Sequence, residues 1–414
     1  MRSHVNLTHL TAVSCWLCAC SPEEPASSTA ADANAVHAAV IALDTHVDIE
    51  PDFATDAVDP LDAKLQVNLT NMSAGGLDAA FFIVYVPQTA RTPENYAQAR
   101  AEALTKFAAI HRMAEVLYPE RIEIAYTASD VERIAAAGKL VAAIGIENGY
   151  VIGEDLALID EYAARGARYV TLVHNGDNDL GRSAQPKPEL GDPPADEVTG
   201  LTSLGAQAIA RLNRAGIMVD VSHGSKGTAL DAMRLSAAPV IASHSSVRSL
   251  VDHPRNMDDE TLLALRDNGG VVQIVAFDTY LKAQPPERGI AVRALREGRG
   301  APNAQELANM SEIERAEFER SMAEIDARFP RATVANLVDH IDYAVRLIGV
   351  DHVGISSDFG GGGGIVGWAN AGETMNVTRE LVARGYGEPD IAKLWSGNLL
   401  RVWRAAERVA AELR

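Results

Sequence analysis

The feature that most limits how this chain can fold is a recurring unit. An amphipathic helical stretch ends near glycine, an apolar run long enough for one strand follows, and polar residues stand where the run stops. Eight such runs can be traced: Val40 to Leu43, Ala79 to Val86, Val141 to Ile146, Tyr169 to Val173, Ile217 to Val221, Val240 to Ala242, Val271 to Val275, and His352 to Ile355. Eight parallel strands alternating with helices are what a closed barrel needs, so the pattern predicts an α/β fold of the (β/α)8 TIM type. The clearest helix carries Val334, Leu337, Val338, Ile341, Ala344, Val345 and Ile348 on one stripe and ends at Gly349.

Two stretches break the rhythm. Residues 175–200, with Pro186, Pro188, Pro193 and Pro194, read as a long connection after the fourth strand, of the kind that is often functional. Residues 282–331 are charged and contain Ser311-Glu312-Ile313-Glu314, a capping box that opens a polar helix. They predict a helical insertion before the last strand, inside a single domain over residues 35–414.

Composition narrows the chemistry. The three cysteines, Cys15, Cys18 and Cys20, lie in the first twenty residues, which excludes a thiolate metal site or a cysteine nucleophile in the body of the chain. Any metal must be held by His, Asp and Glu. A net charge of −19 repels phosphate backbones and argues against a nucleic-acid partner. Residues 1–20 read as a secretory signal, and Leu17-Cys18-Ala19-Cys20 resembles a lipobox with Cys20 as the lipidated residue. Residues 21–34, rich in Ser, Pro, Ala, Asp and Glu, then form a flexible tether. The expected location is outside the cytoplasm, in the periplasm or on the cell envelope as a lipoprotein.

The polar residues at the strand ends carry the functional signal. They are His46 and Asp48 after the first run, Glu147 after the third, His174 after the fourth, His223 after the fifth, His244 after the sixth and Asp358 after the eighth. In a parallel barrel all carboxyl ends of strands open on one face, so these groups converge on one mouth. Three neutral imidazoles with two carboxylates suit zinc or a similar divalent ion, leaving a His and an Asp for proton transfer. In His46-Val47-Asp48 the two side chains point the same way from an extended strand. His4, His9, His37, His111, His253, His340 and His352 are assigned to ordinary hydrogen-bonding roles.

Longer stretches surround these residues: Ile144-Gly145-Ile146-Glu147-Asn148-Gly149, Tyr169 through Asn175, Val219 through His223, Pro239 through Ser246, Pro254-Arg255-Asn256 and Gly397 through Val402. In this order they resemble the membrane (renal-type) dipeptidases, metallopeptidases with amidohydrolase-like barrels, from about Val40 to Val402. The resemblance implies a zinc-dependent dipeptidase with two Zn2+ per subunit, His46 and Asp48 on one ion, His223 and His244 on the other, and Glu147 bridging. It implies substrate binding by His174 and Arg255, with Arg255 on the terminal carboxylate, and proton transfer by Asp358 after attack by a metal-bridging hydroxide. Dipeptides are the implied partners, including those with a C-terminal D-residue.

Three departures concern substrate range more than metal binding. Gly360 stands where the family often has a second Asp, Phe277 where some members have Tyr, and Asn148 where Gly is usual. The alternatives are another amidohydrolase reaction, such as N-acyl amino acid deacylation, or a non-catalytic solute-binding lipoprotein. A homodimer stays open.

Overall fold

The computed structural model describes Met1 and residues 32–196, 198–300 and 310–414. The signal, the lipobox with Cys20 and most of the tether lie outside the described residues, as do His4 and His9. Among the described residues no helix is long and apolar enough to cross a membrane.

From Asp32 onward the described residues form one unit. Its strands are β1 (Leu43–Asp48), β2 (Ala79–Tyr85), β3 (Ile122–Ile124), β4 (Leu140–Glu147), β5 (Ala167–Thr171), β6 (Met218–Asp220), β7 (Ile241–Ser245), β8 (Val271–Val275) and β9 (Val353–Ser356). The sheet runs β1-β2-β4-β5-β6-β7-β8-β9 with every neighbour parallel, and β3 pairs the start of β4 outside that path. The ring closes beyond β9, where the Asp48 N–H donates to Phe359 O at 2.8 Å and the Ser357 N–H donates to Asp44 Oδ1 at 2.9 Å. The fold is the expected (β/α)8 barrel.

Each strand is buried on both faces, which is why the runs are nearly continuous in apolar residues. Along β2, Ala79, Phe81 and Ile83 face the barrel interior with Leu43, Tyr169 and Met218, while Ala80, Phe82 and Val84 face the surrounding helices. Trp403, on the helix Asn398–Glu412, joins the interior cluster against Phe81, their rings 5.5 Å apart. The helix Val334–Ile348 forms as its stripe predicts, capped by a reciprocal Thr333–Asn336 box. Its buried Leu337, Val338 and Ile341 each contribute about 1.5–3 kcal/mol by leaving water.

Several strands start or stop a few residues from the predicted runs, β5 for example spanning Ala167–Thr171, and in two of them polar residues lie inside the strand. The first strand begins at Leu43, where the apolar run ends, and carries Asp44, Thr45, His46 and Asp48 within it. Likewise β7 includes Ser243 and His244. Polarity does not end these strands because the buried groups are satisfied: Asp44 Oδ1 accepts from the His46 N–H, and Thr45 Oγ1 donates to Ser243 O at 2.7 Å. Strand β3 was not expected, since three residues with Glu123 in the middle show no period.

The insertion contains the helices Pro286–Gly298 and Glu312–Arg328, the second opened by the Ser311–Glu314 box. Residues 175–196 have little regular structure but are internally tied. Asp192 Oδ2 accepts from the Asp177 and Lys187 N–H groups, and Asn178 Oδ1 from that of Leu180.

Candidate metal centre

The barrel brings His46, Asp48, Glu147, His174, His223, His244 and Asp358 to one mouth. Glu147, the last residue of β4, is 4% exposed and stands at the centre. Its Oε1 lies 3.1 Å from His223 Nε2 and 3.2 Å from His244 Nε2, and its Oε2 lies 3.6 Å from His46 Nε2. His46 Nε2 is also 3.4 Å from Asp48 Oδ2 and 3.8 Å from Asp358 Oδ1. His174 Nε2 is farther from Glu147, at 3.9 Å.

The outer ring nitrogens decide what these imidazoles can do. Tyr169 Oη donates to Thr45 O at 3.0 Å, so at 2.9 Å from His46 Nδ1 it accepts a proton from that nitrogen. Ser243 Oγ donates to Asp220 Oδ2 at 2.6 Å and accepts from His244 Nδ1 at 2.8 Å. His223 Nδ1 donates to Asn175 Oδ1 at 3.0 Å. In all three rings Nδ1 carries a hydrogen and Nε2 turns inward, the orientation that metal-binding histidines adopt. His46 Nε2 is buried without a hydrogen-bond partner among the described residues. The donor set fits divalent cations, with His46, Asp48 and Glu147 close enough to share one.

Electrostatics agree. Burial, then the Arg255 charge and a neighbouring imidazole, hold His223 well below the ordinary histidine value. Burial and His46 do the same for His244, so both rings are neutral, as ligands must be. For His46 burial is outweighed by Glu147 and Asp48, which raise it well above its ordinary value. Carboxylates that draw a proton onto this nitrogen also draw a cation. Burial raises Asp358 well above the carboxylate range, with Asp48 and Glu147 adding to it. The backbone is strained here: His223, Asp358 and Asn148 have φ of 65°, 60° and 82°.

Arg255, on the loop after β7, is 3% exposed and has no carboxylate partner among the described residues. Its Nη2 donates to His244 O at 3.1 Å, its Cζ lies 5.5 Å from the Tyr280 ring, and its Nε has no partner. A buried guanidinium with spare donors is suited to an anion. The cavity, about 450 Å³, is lined by the cluster together with Arg255, Tyr280, Tyr85 and Lys106.

The three departures have local explanations. Asn tolerates the positive φ at 148, and its side chain bonds Val86 O and the Tyr150 N–H. Phe277 stacks on Tyr280 with centroids 4.2 Å apart. A Cβ on Gly360 would meet Asp48 O at 2.5 Å, so the loop that closes the barrel excludes a side chain in this conformation.

The residues given ordinary roles mostly have them. His37 bonds Thr378 and Gly75 O, His340 bonds the Val247 N–H and Leu281 O, and His352 bonds Gly270 O. His253 is nearer the site, accepting from the Arg255 N–H and packing on Tyr280. Tyr169, Ser243, Asn175, Tyr85, Tyr280 and Lys106 were not singled out from the sequence.

A parallel barrel whose mouth gathers three inward-facing imidazoles and a set of carboxylates is the framework of a metal-dependent hydrolase. The comparisons give the class its family. Residues 30–414 match the family described as membrane dipeptidase, peptidase family M19, and the chain belongs to it. It is accordingly a metal-dependent dipeptidase. It is 30% identical over 350 residues to dipeptidase tcpJ of Claviceps purpurea, covering 83% of this chain and 70% of that one. The structure of the "probable dipeptidase PvdM" of Pseudomonas aeruginosa is 34% identical with a TM-score of 0.79, over 91% of this chain and 98% of that one. A metallopeptidase of Rhodobacter sphaeroides shares the fold at 22% identity and a TM-score of 0.67, over 89% and 99% of the two chains.

Proposed function

We propose that the cavity hydrolyses the peptide bond of dipeptides on a centre of two zinc ions, with His46 and Asp48 on one, His223 and His244 on the other, and Glu147 bridging. The observation that carries this is the 2.9 Å approach of His223 Nε2 to His244 Nε2 beside Glu147 Oε1, with both Nδ1 atoms engaged elsewhere. Two inward lone pairs at that distance repel unless a cation lies against them. When bound, the ions polarise the scissile carbonyl and make a water acidic enough to attack near neutral pH.

The other groups divide the remaining work. Arg255 takes the substrate's terminal carboxylate with its spare donors and so orients the scissile bond. His174, held neutral by burial and with Nδ1 unpartnered, donates to the carbonyl oxygen as charge develops there. Asp358 accepts the proton of the attacking water and returns it to the leaving amine nitrogen. The range includes dipeptides that end in a D-residue. The leader sequence supports export to the periplasm or cell envelope, with Cys20 as the anchored residue.

The test uses protein starting after Cys20 and measures amine release from L,L and L,D dipeptides, tripeptides and N-acetylated amino acids. It is run after chelation and after zinc is restored, with metal content measured alongside. The expected result is cleavage of free dipeptides only, recovered at two zinc equivalents. Cleavage of the N-acetylated substrates alone, or full activity without zinc, would overturn the reading.

A further inference from the structure

The helix Pro93–His111, which follows β2, buries Ala99, Ala103, Phe107 and Ile110 in the core, and it also buries a lysine. Lys106 is 5% exposed. Among the described residues its ammonium makes no hydrogen bond or ion pair; it stands over the Tyr85 ring, 5.3 Å from the centroid, with the carboxylates of Asp48, Glu50, Glu147 and Glu102 acting on it from beyond contact distance. Tyr85 in turn packs edge-on against His174, their centroids 4.8 Å apart. Lys106, Tyr85 and His174 thus form one wall of the cavity that contains Glu147. A buried cation that touches none of the anions around it keeps its donors free, and such groups concentrate where a ligand supplies the direct contact.

Topology sets this wall against Arg255. In the ring β1-β2-β4-β5-β6-β7-β8-β9, strand β2 is four places from β7, so Tyr85 at the end of β2 and Arg255 after β7 stand on opposite sides of the mouth. A dipeptide with its terminal carboxylate on Arg255 and its peptide bond over the central cluster directs its first residue toward Lys106. An ammonium there repels the substrate's own terminal amine, so its placement favours substrates that bring a compensating negative group on the same residue. Glu50 and Glu102 line the cavity as well and suit the amine itself.

We propose that Lys106 is a specificity-determining residue that pairs with a side-chain carboxylate on the first residue of the substrate, so that dipeptides beginning with Glu or Asp are preferred. This rests on the dipeptidase reading above, with Arg255 on the terminal carboxylate.

The test compares kcat/KM for Glu-Ala and Gln-Ala, which differ at that group alone, in zinc-loaded wild type, Lys106→Met and Lys106→Arg. A ratio taken within one preparation is insensitive to the fraction folded. A charge-assisted contact predicts a wild-type ratio of about tenfold or more, falling toward unity in Lys106→Met and largely kept in Lys106→Arg, with the change in KM. A wild-type ratio near unity with both dipeptides cleaved, or the full ratio surviving in Lys106→Met, would overturn the role of Lys106 and leave the dipeptidase reading intact. No cleavage of either substrate by the zinc-loaded wild type would overturn both.

Discussion

His223 Nε2 lies 2.9 Å from His244 Nε2, and neither ring can give the other a hydrogen, because Asn175 and Ser243 hold the protons on the far side. On the proposed reading, a cation between the two rings accounts for this geometry. His223→Ala is expected to lose one of two zinc equivalents and to lower kcat/KM by about a thousandfold or more, since ligand loss removes a Lewis acid as well as a water activator. Elemental analysis beside the dipeptide assay checks this, and full zinc content with full activity would remove His223 from the site.

On the proposed reading, Ser243 acts on the metal through His244, whose Nδ1 lies 2.8 Å from its hydroxyl. Its hydroxyl passes the hydrogen-bond chain on to Asp220, which also accepts from Thr171 Oγ1 at 2.5 Å and from the Ser222 and Ser243 N–H groups. Ser243→Ala should leave all ligands present yet weaken zinc binding about 10–100-fold, as removal of such orienting partners does. Competition with a chromogenic chelator measures it, and unchanged affinity would show that His244 holds its tautomer without help.

The raised His46 and the lowered His223 and His244 predict how metal uptake depends on pH. Near neutrality the two lowered rings are already neutral, whereas Glu147 and Asp48 keep a proton on His46. A cation must displace that proton, so in the window below the raised His46 value the apparent zinc affinity should fall about tenfold for each unit of acidification. Calorimetry in buffers of different ionisation enthalpy counts the protons, and no release at pH 7 would contradict the assignment.

Gly361 is where the close approach of the last loop matters most. A Cβ there would stand 2.3 Å from Asp48 Oδ2 and 2.5 Å from Asp358 Oδ1, moving the proposed ligand and the proposed proton carrier together. Gly361→Ala should lower kcat/KM about a hundredfold, since a displacement near one ångström suffices for that. A melting temperature close to wild type together with the lost activity would separate this from general unfolding, and wild-type activity would mean that the loop yields freely.

What could be read from the sequence follows from the same geometry. A parallel barrel sends every strand's carboxyl end to one face, so His46, Asp48, Glu147, His174, His223, His244 and Asp358 could be collected without knowing a single contact. The residues that orient them left no such trace. Tyr169 opens an apolar run, Ser243 falls just beyond the run that ends at Ala242, and Lys106 belongs to no run or motif. Their roles come from partners far away in the chain, as Tyr169 meets His46 and Ser243 meets Asp220. The exact start of β1 was hidden for a related reason, because burial of satisfied polar groups makes a strand look like its own end.

His340 ties the helix Val334–Ile348 to the loop after β7 that leads to Arg255 and to the short helix Asp278–Leu281 that carries Tyr280. Its Nδ1 accepts from the Val247 N–H at 3.1 Å, and its Nε2 donates to Leu281 O at 3.2 Å, so only the neutral Nε2–H ring satisfies both. Burial pushes its pKa down to about 4, against 6.5 for a free histidine. The unfolded chain then takes up a proton below pH 6.5 that the folded protein refuses, and the stability present above pH 6.5 is lost as the pH falls toward 4. This amounts to roughly 2–3 kcal/mol by pH 4.5. His340→Gln should be less stable than wild type at pH 7.5 by about 1–3 kcal/mol for the impaired hydrogen bonds. The gap should narrow, or reverse, by pH 4.5, since glutamine does not titrate while other ionisations are common to both proteins. Denaturant titrations of the pair at both pH values measure the difference directly, and a gap that stays constant would show that His340 remains uncoupled from pH in this range.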